Sequence, residues 1–178
     1  GKGFNQGVAA HKAGADVTMV TKLGRDTFAD IALNTMKELG MKQDRILYSD
    51  DTETGCALIM VDENTSQNEI VVILGSCNTI SDAEVDSLED LLDGCEYMLT
   101  QLETNVSSVE RIVDIACKKG VKVILNTAPV QPISDELLSK VDLITPNEVE
   151  AEILTGVKVD SEEAADKAAE WFFGKGVK

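Results

Sequence analysis

From residue 97 to the end of the chain, short apolar runs alternate with segments of helical period, and only short polar turns join them. No other feature restricts the fold so much. Tyr97-Met-Leu-Thr-Gln-Leu102 reads as a buried strand ending at Glu103. Val106 to Lys119 reads as a helix with Val109, Ile112, Val113 and Ala116 inward, stopped by Gly120. Val121 to Leu125 is the next strand, ending at Asn126, and Ser134 or Asp135 starts a short helix. A strand over 142–145 leads into a helix that runs to Leu154 and stops at Gly156, and Ser161 caps a last helix carrying Ala164, Ala165, Ala168 and Phe172. Strands joined through helices run parallel with right-handed crossovers. The expected architecture is therefore a layered α/β fold, its mostly parallel sheet covered on both faces. Ligands of such sheets bind at the carboxyl ends of the strands, where Glu103, Asn126 and Asn147 fall.

The stretch Asp142 to Glu150 concentrates the chemistry. Pro146 cannot donate to a ladder and turns Thr145 away from helical angles, so the strand stops there. Asn147 is a preferred helix cap, and Glu148 and Glu150 fall in the first turn, where carboxylates suit the helix dipole. A strand running directly into such a helix start can bind an anion or organise a hydrated metal ion. An ordinary capped helix accounts for the same residues.

Upstream, Asn5 to Ala13 reads as a helix, Asp16 to Val20 as a short strand, Asp26 to Leu39 as a capped helix and Ile46 to Tyr48 as a brief strand. Gly55 to Val61 and Glu69 to Leu74 are two strongly apolar strands around the polar turn 62–68. This hairpin, about 55–74, interrupts the alternation. A lid, a dimer contact and a sheet edge are all consistent with it.

The chain has 178 residues and 43% hydrophobic content, enough for one large domain. Its net charge of −16 argues against nucleic acid and against anionic membrane as partners. There is no bilayer-length apolar run and no basic-then-apolar leader, so the expected location is the cytoplasm. Cys56, Cys77, Cys95 and Cys117 form no C-x-x-C pair and His11 is the only histidine, which makes a zinc site improbable; scattered reduced thiols are expected. His11 is expected at the surface, Trp171 and Phe172 in packing, and 50–53 in a solvated loop.

Gly1-Lys2-Gly3-Phe4-Asn5-Gln6-Gly7 is not a Walker loop, because Gly3 follows Lys2 where Ser or Thr is needed. Nor is it a dinucleotide fingerprint, since Gly7 is one place late and no strand precedes it. A structural glycine turn and a backbone approached closely by a small polar ligand, with Lys2 and Asn5 as donors, both remain open.

These residues together resemble the ribokinase branch of the PfkB carbohydrate kinases. The opening is similar to the family's sugar-binding Gly-Gly-Lys-Gly-x-Asn-Gln motif without its first glycine. Gln101-Leu102-Glu103 resembles the segment that carries a sugar-contacting glutamate. Asn126-Thr127-Ala128-Pro129 resembles the Asn-Pro-Ala-Pro turn with Thr127 in place of its first proline, and Thr145 to Glu152 resembles the Asn-x-x-Glu motif. The resemblance runs through all 178 residues in order, with the hairpin as the lid of one α/β domain. It implies that Gly1, Lys2, Gly3, Asn5 and Glu103 hold a sugar, that Asn147 sits at the nucleotide phosphates and that Glu150 organises hydrated magnesium. It implies ATP as co-substrate, a possible potassium requirement and a possible homodimer through the lid. Phe4 stands where ribokinases usually carry a small residue, so a changed pocket shape is expected there.

The family's Gly-Ala-Gly-Asp segment, which supplies the aspartate base, has no counterpart here, and the first strand with its sugar-binding aspartate would precede residue 1. The chain is accordingly read as a fragment with no catalytic residue of its own and no turnover by itself. The expected parent activity is phosphorylation of a sugar hydroxymethyl group, ribose first, with fructose, deoxyribose or a nucleoside as alternatives. A non-catalytic sugar-binding or dimerisation module of the same fold is the competing reading, and a nicotinamide-binding domain is disfavoured.

Overall fold

The computed structural model describes residues 1–178, which form two units, Gly1–Ile80 and Ser81–Lys178. In the first unit, helix α1 (Lys2–Lys12) begins at Lys2 rather than Asn5. The glycine-rich opening is therefore the first turns of a helix, not a loop. Its first backbone bond runs from the Asn5 N–H to the Gly1 carbonyl (3.2 Å). Phe4 and Val8, one helical turn apart, both pack on the unit's core, which is why the helical period reaches back so far. Gly7 is buried, and a Cβ there would lie 2.1 Å from Met19 Cε, so a glycine lets Met19 pack this close.

No strand forms over 15–20. Val17 and Met19 pack inward as an extended run would, but the ladder begins at β1 (Thr21–Leu23), paired in parallel with β2 (Ile46–Tyr48). Between them, α2 (Thr27–Glu38) is capped by Asp26, and its wholly buried Met36 centres a core with Met19, Leu23, Ala29, Met41 and Ile46. The two helices are joined by the His11 ring, whose Nε2–H donates to the Leu39 carbonyl (2.8 Å).

Strands β3 (Cys56–Val61) and β4 (Asn68–Ile73) form the expected antiparallel hairpin. Its base is fixed. Asp26 accepts from the Ala29 N–H (2.9 Å) and the Thr54 N–H (2.7 Å), and the Thr54 hydroxyl accepts from the Gly24 N–H (2.9 Å). The Thr54 and Ala29 N–H groups hold the Asp26 carboxyl below its ordinary range. A Cβ on Gly55 would lie 2.4 Å from the Leu74 carbonyl, and Ser76 bonds back to the Lys22 carbonyl (2.8 Å). Beyond that base both faces are uncovered: Leu58 (60% exposed) and Val71 pair on one, Ile59 (62% exposed) and Ile70 on the other.

In the second unit three parallel strands lie in the order β5 (Tyr97–Thr100), β6 (Lys122–Leu125), β7 (Leu143–Ile144). The expected single helix after Ser81 is broken into α3 (Asp82–Asp86) and a 3₁₀ turn over Glu89–Leu92. Strand β5 is shorter than expected and not buried throughout, with Tyr97 and Leu99 exposed. Helix α4 (Val106–Lys118) buries Val109, Val113 and Ala116 against wholly buried Val123 and Leu125 of β6. Arg111 ties α4 to α3 through a two-pronged bond to Asp86 (2.7 and 2.8 Å). Helix α5 (Asp135–Leu138) adds Leu137 and Leu138 to the core. After β7 come α6 (Glu148–Thr155), closed by left-handed Gly156, and α7 (Glu162–Gly174), which buries Ala168 and Phe172 and leaves Ala165 exposed. The four cysteines are free thiols. No helix is long and apolar enough to cross a membrane.

Asp142 fixes the register between β6 and β7. Burial works against its ionised form, but the Val123 N–H (2.9 Å) and the Lys178 ammonium (2.9 Å) outweigh burial and hold its carboxyl below the ordinary range. A carboxyl depressed in the folded state stabilises above its unfolded value of about 3.9, and that stabilisation is lost as pH falls through the folded value. Asp142→Asn should therefore flatten the fall of stability below about pH 4 in urea titrations. An acid limb as steep as that of the parent would show that Asp142 is not a source of it.

Candidate functional site

The carboxyl ends of β6 and β7 bring polar side chains together in the second unit. The chain leaves β6 with the Asn126 N–H on the Thr100 carbonyl (2.9 Å), and the Thr145 N–H bonds the Leu125 carbonyl (3.0 Å). Asn126 and Thr145 thus end up side by side. The Asn126 amide nitrogen donates to the Thr145 carbonyl (2.8 Å) and lies 3.2 Å from its hydroxyl. Pro146 separates this pair from the start of α6.

Asn147 and Glu150 close a reciprocal cap on α6. The Glu150 N–H donates to Asn147 Oδ1 (2.8 Å), the Asn147 N–H donates to Glu150 Oε2 (3.1 Å), and Asn147 Nδ2 donates to Glu150 Oε1 (3.0 Å). A further donor comes from the β6 side: the Thr127 hydroxyl, on a wholly buried residue, gives its proton to Glu150 Oε2 (2.9 Å). The Glu150 carboxylate is therefore immobilised by two segments far apart in sequence. The first backbone bond of α6 runs from Ala151 to Asn147 (2.8 Å), so the Glu148 and Val149 amides precede the helical ladder and have no acceptor within it. Beside this helix start opens an apolar groove of about 490 Å³ lined by Leu143, Pro146, Ala151, Phe172 and Phe173.

Chemically, amides at a helix start accept anionic oxygens. No cluster of three or more His, Cys, Asp or Glu side chains forms a ligand cage. A lone, hydrogen-bonded carboxylate such as Glu150 fits a hydrated magnesium ion, which keeps waters and substrate phosphate oxygens as its own ligands.

The other expected residues lie elsewhere. Glu103 is not at the strand end but in the bend after β5, half-buried. That bend is stapled down: the Leu102 N–H bonds the Ala128 carbonyl (3.1 Å), and Gln131 Nε2 bonds the Leu102 carbonyl (2.6 Å). Gly1, Lys2, Gly3 and Asn5 are in the first unit. Gly1 is the N-cap of α1, Lys2 and Gly3 are half-buried and Asn5 is exposed. The Phe4 ring packs against the core of that unit. The residue whose contact the sequence did not show is Thr127; its signals were a hydroxyl two residues after a buried strand and its place in the turn where the resembling motif has proline.

Comparison with known proteins defines the class. The sequence matches the pfkB family of carbohydrate kinases over residues 1–178, and the chain belongs to that family. It falls in the ribokinase-like branch. Ribokinase from Haemophilus influenzae is 44% identical over 177 residues, covering 99% of this chain and 58% of that protein. Deoxyribokinase from Salmonella typhi is 35% identical over 178 residues, with 99% and 58% covered. The structure of Arabidopsis thaliana ribokinase complexed with ribose and ATP matches with a TM-score of 0.88 at 27% identity, covering 100% of this chain and 58% of that one. The chain thus spans less than two thirds of these relatives, 58% of each. The fold is the ribokinase-like α/β fold that the resemblance implied.

The cap predicts its own stability effect. Asn147→Ala removes the acceptor for Glu150 N–H and should cost about 1 kcal/mol in chemical denaturation. Asn147→Ser keeps an acceptor for the Glu150 N–H without placing a second carboxylate beside Glu150, and should lose less. An unchanged midpoint for the alanine variant would mean that the cap does not hold α6 in place.

Proposed function

We propose that the protein to which these residues belong transfers the γ-phosphoryl group of ATP to the hydroxymethyl oxygen of a sugar, with ribose as acceptor and ribose 5-phosphate as product. The observation that carries this reading is the capped start of α6 at the carboxyl end of β7, bonded to the β6 turn through Asn126 and Thr127. The ribokinase and deoxyribokinase relatives support a pentose acceptor.

On this reading Gly1, Lys2, Gly3 and Asn5 hold the sugar and Glu103 accepts a proton from one of its hydroxyls. Asn147 sits at the nucleotide phosphates, and Glu150 orients waters around magnesium. Magnesium bound with ATP supplies charge neutralisation at the phosphates. The chain's own residues contribute binding and alignment of the two reactants. None of these side chains is assigned as the base. Both units belong to one kinase domain with residues 55–74 inserted as a lid. Potassium activation and a cytoplasmic location complete the proposal.

A coupled assay of ADP formation by the full-length protein tests it. Ribose-dependent turnover is expected, with kcat/KM falling roughly tenfold to a hundredfold on Glu103→Ala or Asn5→Ala, the loss of a hydrogen bond to or near a charge. A folded protein with no turnover on ribose, deoxyribose, fructose or a nucleoside would shift the reading to a non-catalytic sugar-binding module.

The hairpin supports a homodimer. A lid covers its ligand with one face, and this hairpin is apolar on both. The second face is assigned to another copy of the chain. Light scattering of the full-length protein should give a dimer mass, reduced to monomer by Ile59→Glu together with Leu58→Glu. A monomeric parent would refute the assembly.

A further inference from the structure

We infer that Thr127 is a positioning residue that aims the Glu150 carboxylate. The inference rests on the proposed role of Glu150 at hydrated magnesium, and it concerns a residue at which this chain departs from the turn it resembles. Three observations carry it. Thr127 is wholly buried, yet its hydroxyl is spent on Glu150 Oε2 at 2.9 Å and on no other described partner. Its backbone cannot drift, because the residues on either side are clamped to the β5 segment, Asn126 N–H on Thr100 and Leu102 N–H on the Ala128 carbonyl. And it binds the same oxygen that receives the Asn147 N–H at 3.1 Å.

The consequence is directional. Oε2 is held by two donors, one from the sheet and one from the helix cap, whereas Oε1 is approached only by the Asn147 side-chain amide at 3.0 Å. A carboxylate oxygen accepts more than one hydrogen bond. Oε1 thus keeps capacity to accept from a metal-bound water, and Thr127 sets the plane in which it does so. Outer partners that orient a metal-site carboxylate in this way carry a large share of its affinity. Without the hydroxyl, the cap alone would hold Glu150, and a helix cap tolerates rotation of its side chain that a second anchor forbids.

The test uses the full-length protein with Thr127→Val, Thr127→Ser and Glu150→Gln. Two readouts are needed: the magnesium concentration for half-maximal turnover at saturating ribose, and manganese binding in the presence of ATP by electron paramagnetic resonance. Thr127→Val should weaken both by about tenfold with the ribose KM unchanged, and Thr127→Ser should restore both. If Glu150→Gln shifts both readouts and Thr127→Val shifts neither, the inference is overturned and the role of Glu150 stands. If Glu150→Gln shifts neither, the reading of Glu150 itself fails. A Thr127→Val that lowers only Tm or raises only the ribose KM marks a packing residue and also overturns the inference. Should the valine variant not fold, Thr127→Ala removes the hydroxyl without added bulk, and the same outcomes apply.

Discussion

Strand β6 is the constraint on which the second unit depends. It is bonded on both edges, to β5 and to β7, and its Val123 and Leu125 are wholly buried under α4 and α7. A strand in that position cannot shift by one residue without turning its entire buried set outward. The residues that follow it inherit this rigidity. Asn126 and Thr127 emerge at a defined point and angle, next to the end of β7, so a polar turn becomes a fixed pair of donors rather than a mobile loop. Asp142 reinforces the same alignment from the other end of β7 by accepting from the Val123 N–H.

The proposed anionic ligand would have to be held by an acidic chain. With a net charge of −16, long-range attraction is unavailable. Local donors have to suffice: the amides at the start of α6 and the Asn126 and Asn147 side chains. Glu150 would oppose an anion if left free. Here its charge is met by three hydrogen-bond donors, two on Oε2 and one on Oε1, which lowers that opposition and leaves Oε1 with capacity to accept a further bond. The arrangement suits chemistry that proceeds through positioning and a hydrated cation, as phosphoryl transfer does.

The first unit follows a different logic. Its helices and short parallel pair make a modest core around Met36, while the hairpin contributes almost nothing to it. The hairpin is anchored only at its base, by Asp26, Thr54 and the close backbone contact at Gly55. Fixed ends and uncovered apolar strands are what an element requires if it is to close over something else. Exposed apolar strands also invite unwanted pairing, which a covering ligand, sheet or second chain would prevent.

Helical and strand periods, caps and glycine stops determined most elements directly from the sequence: the Asp26, Ser81, Asn147 and Ser161 caps, the hairpin and its turn, and the parallel direction of β5, β6 and β7. These features were legible because each rests on a local rule of side-chain spacing or backbone hydrogen bonding. What failed locally was settled by partners. Residues 16–20 have the alternation of a strand but no neighbour to pair with, and the glycine-rich opening became helical because Phe4 and Val8 found a core to pack against. Asn147 and Glu150 were visible as a spaced pair, yet the sequence carried no sign that Thr127, 23 positions earlier, would complete it. That contact exists only because a buried parallel ladder lays the end of β6 beside the start of α6. Sequence encodes periods and caps within a few residues, whereas a hydrogen bond between distant segments is decided by how the sheet brings their ends together.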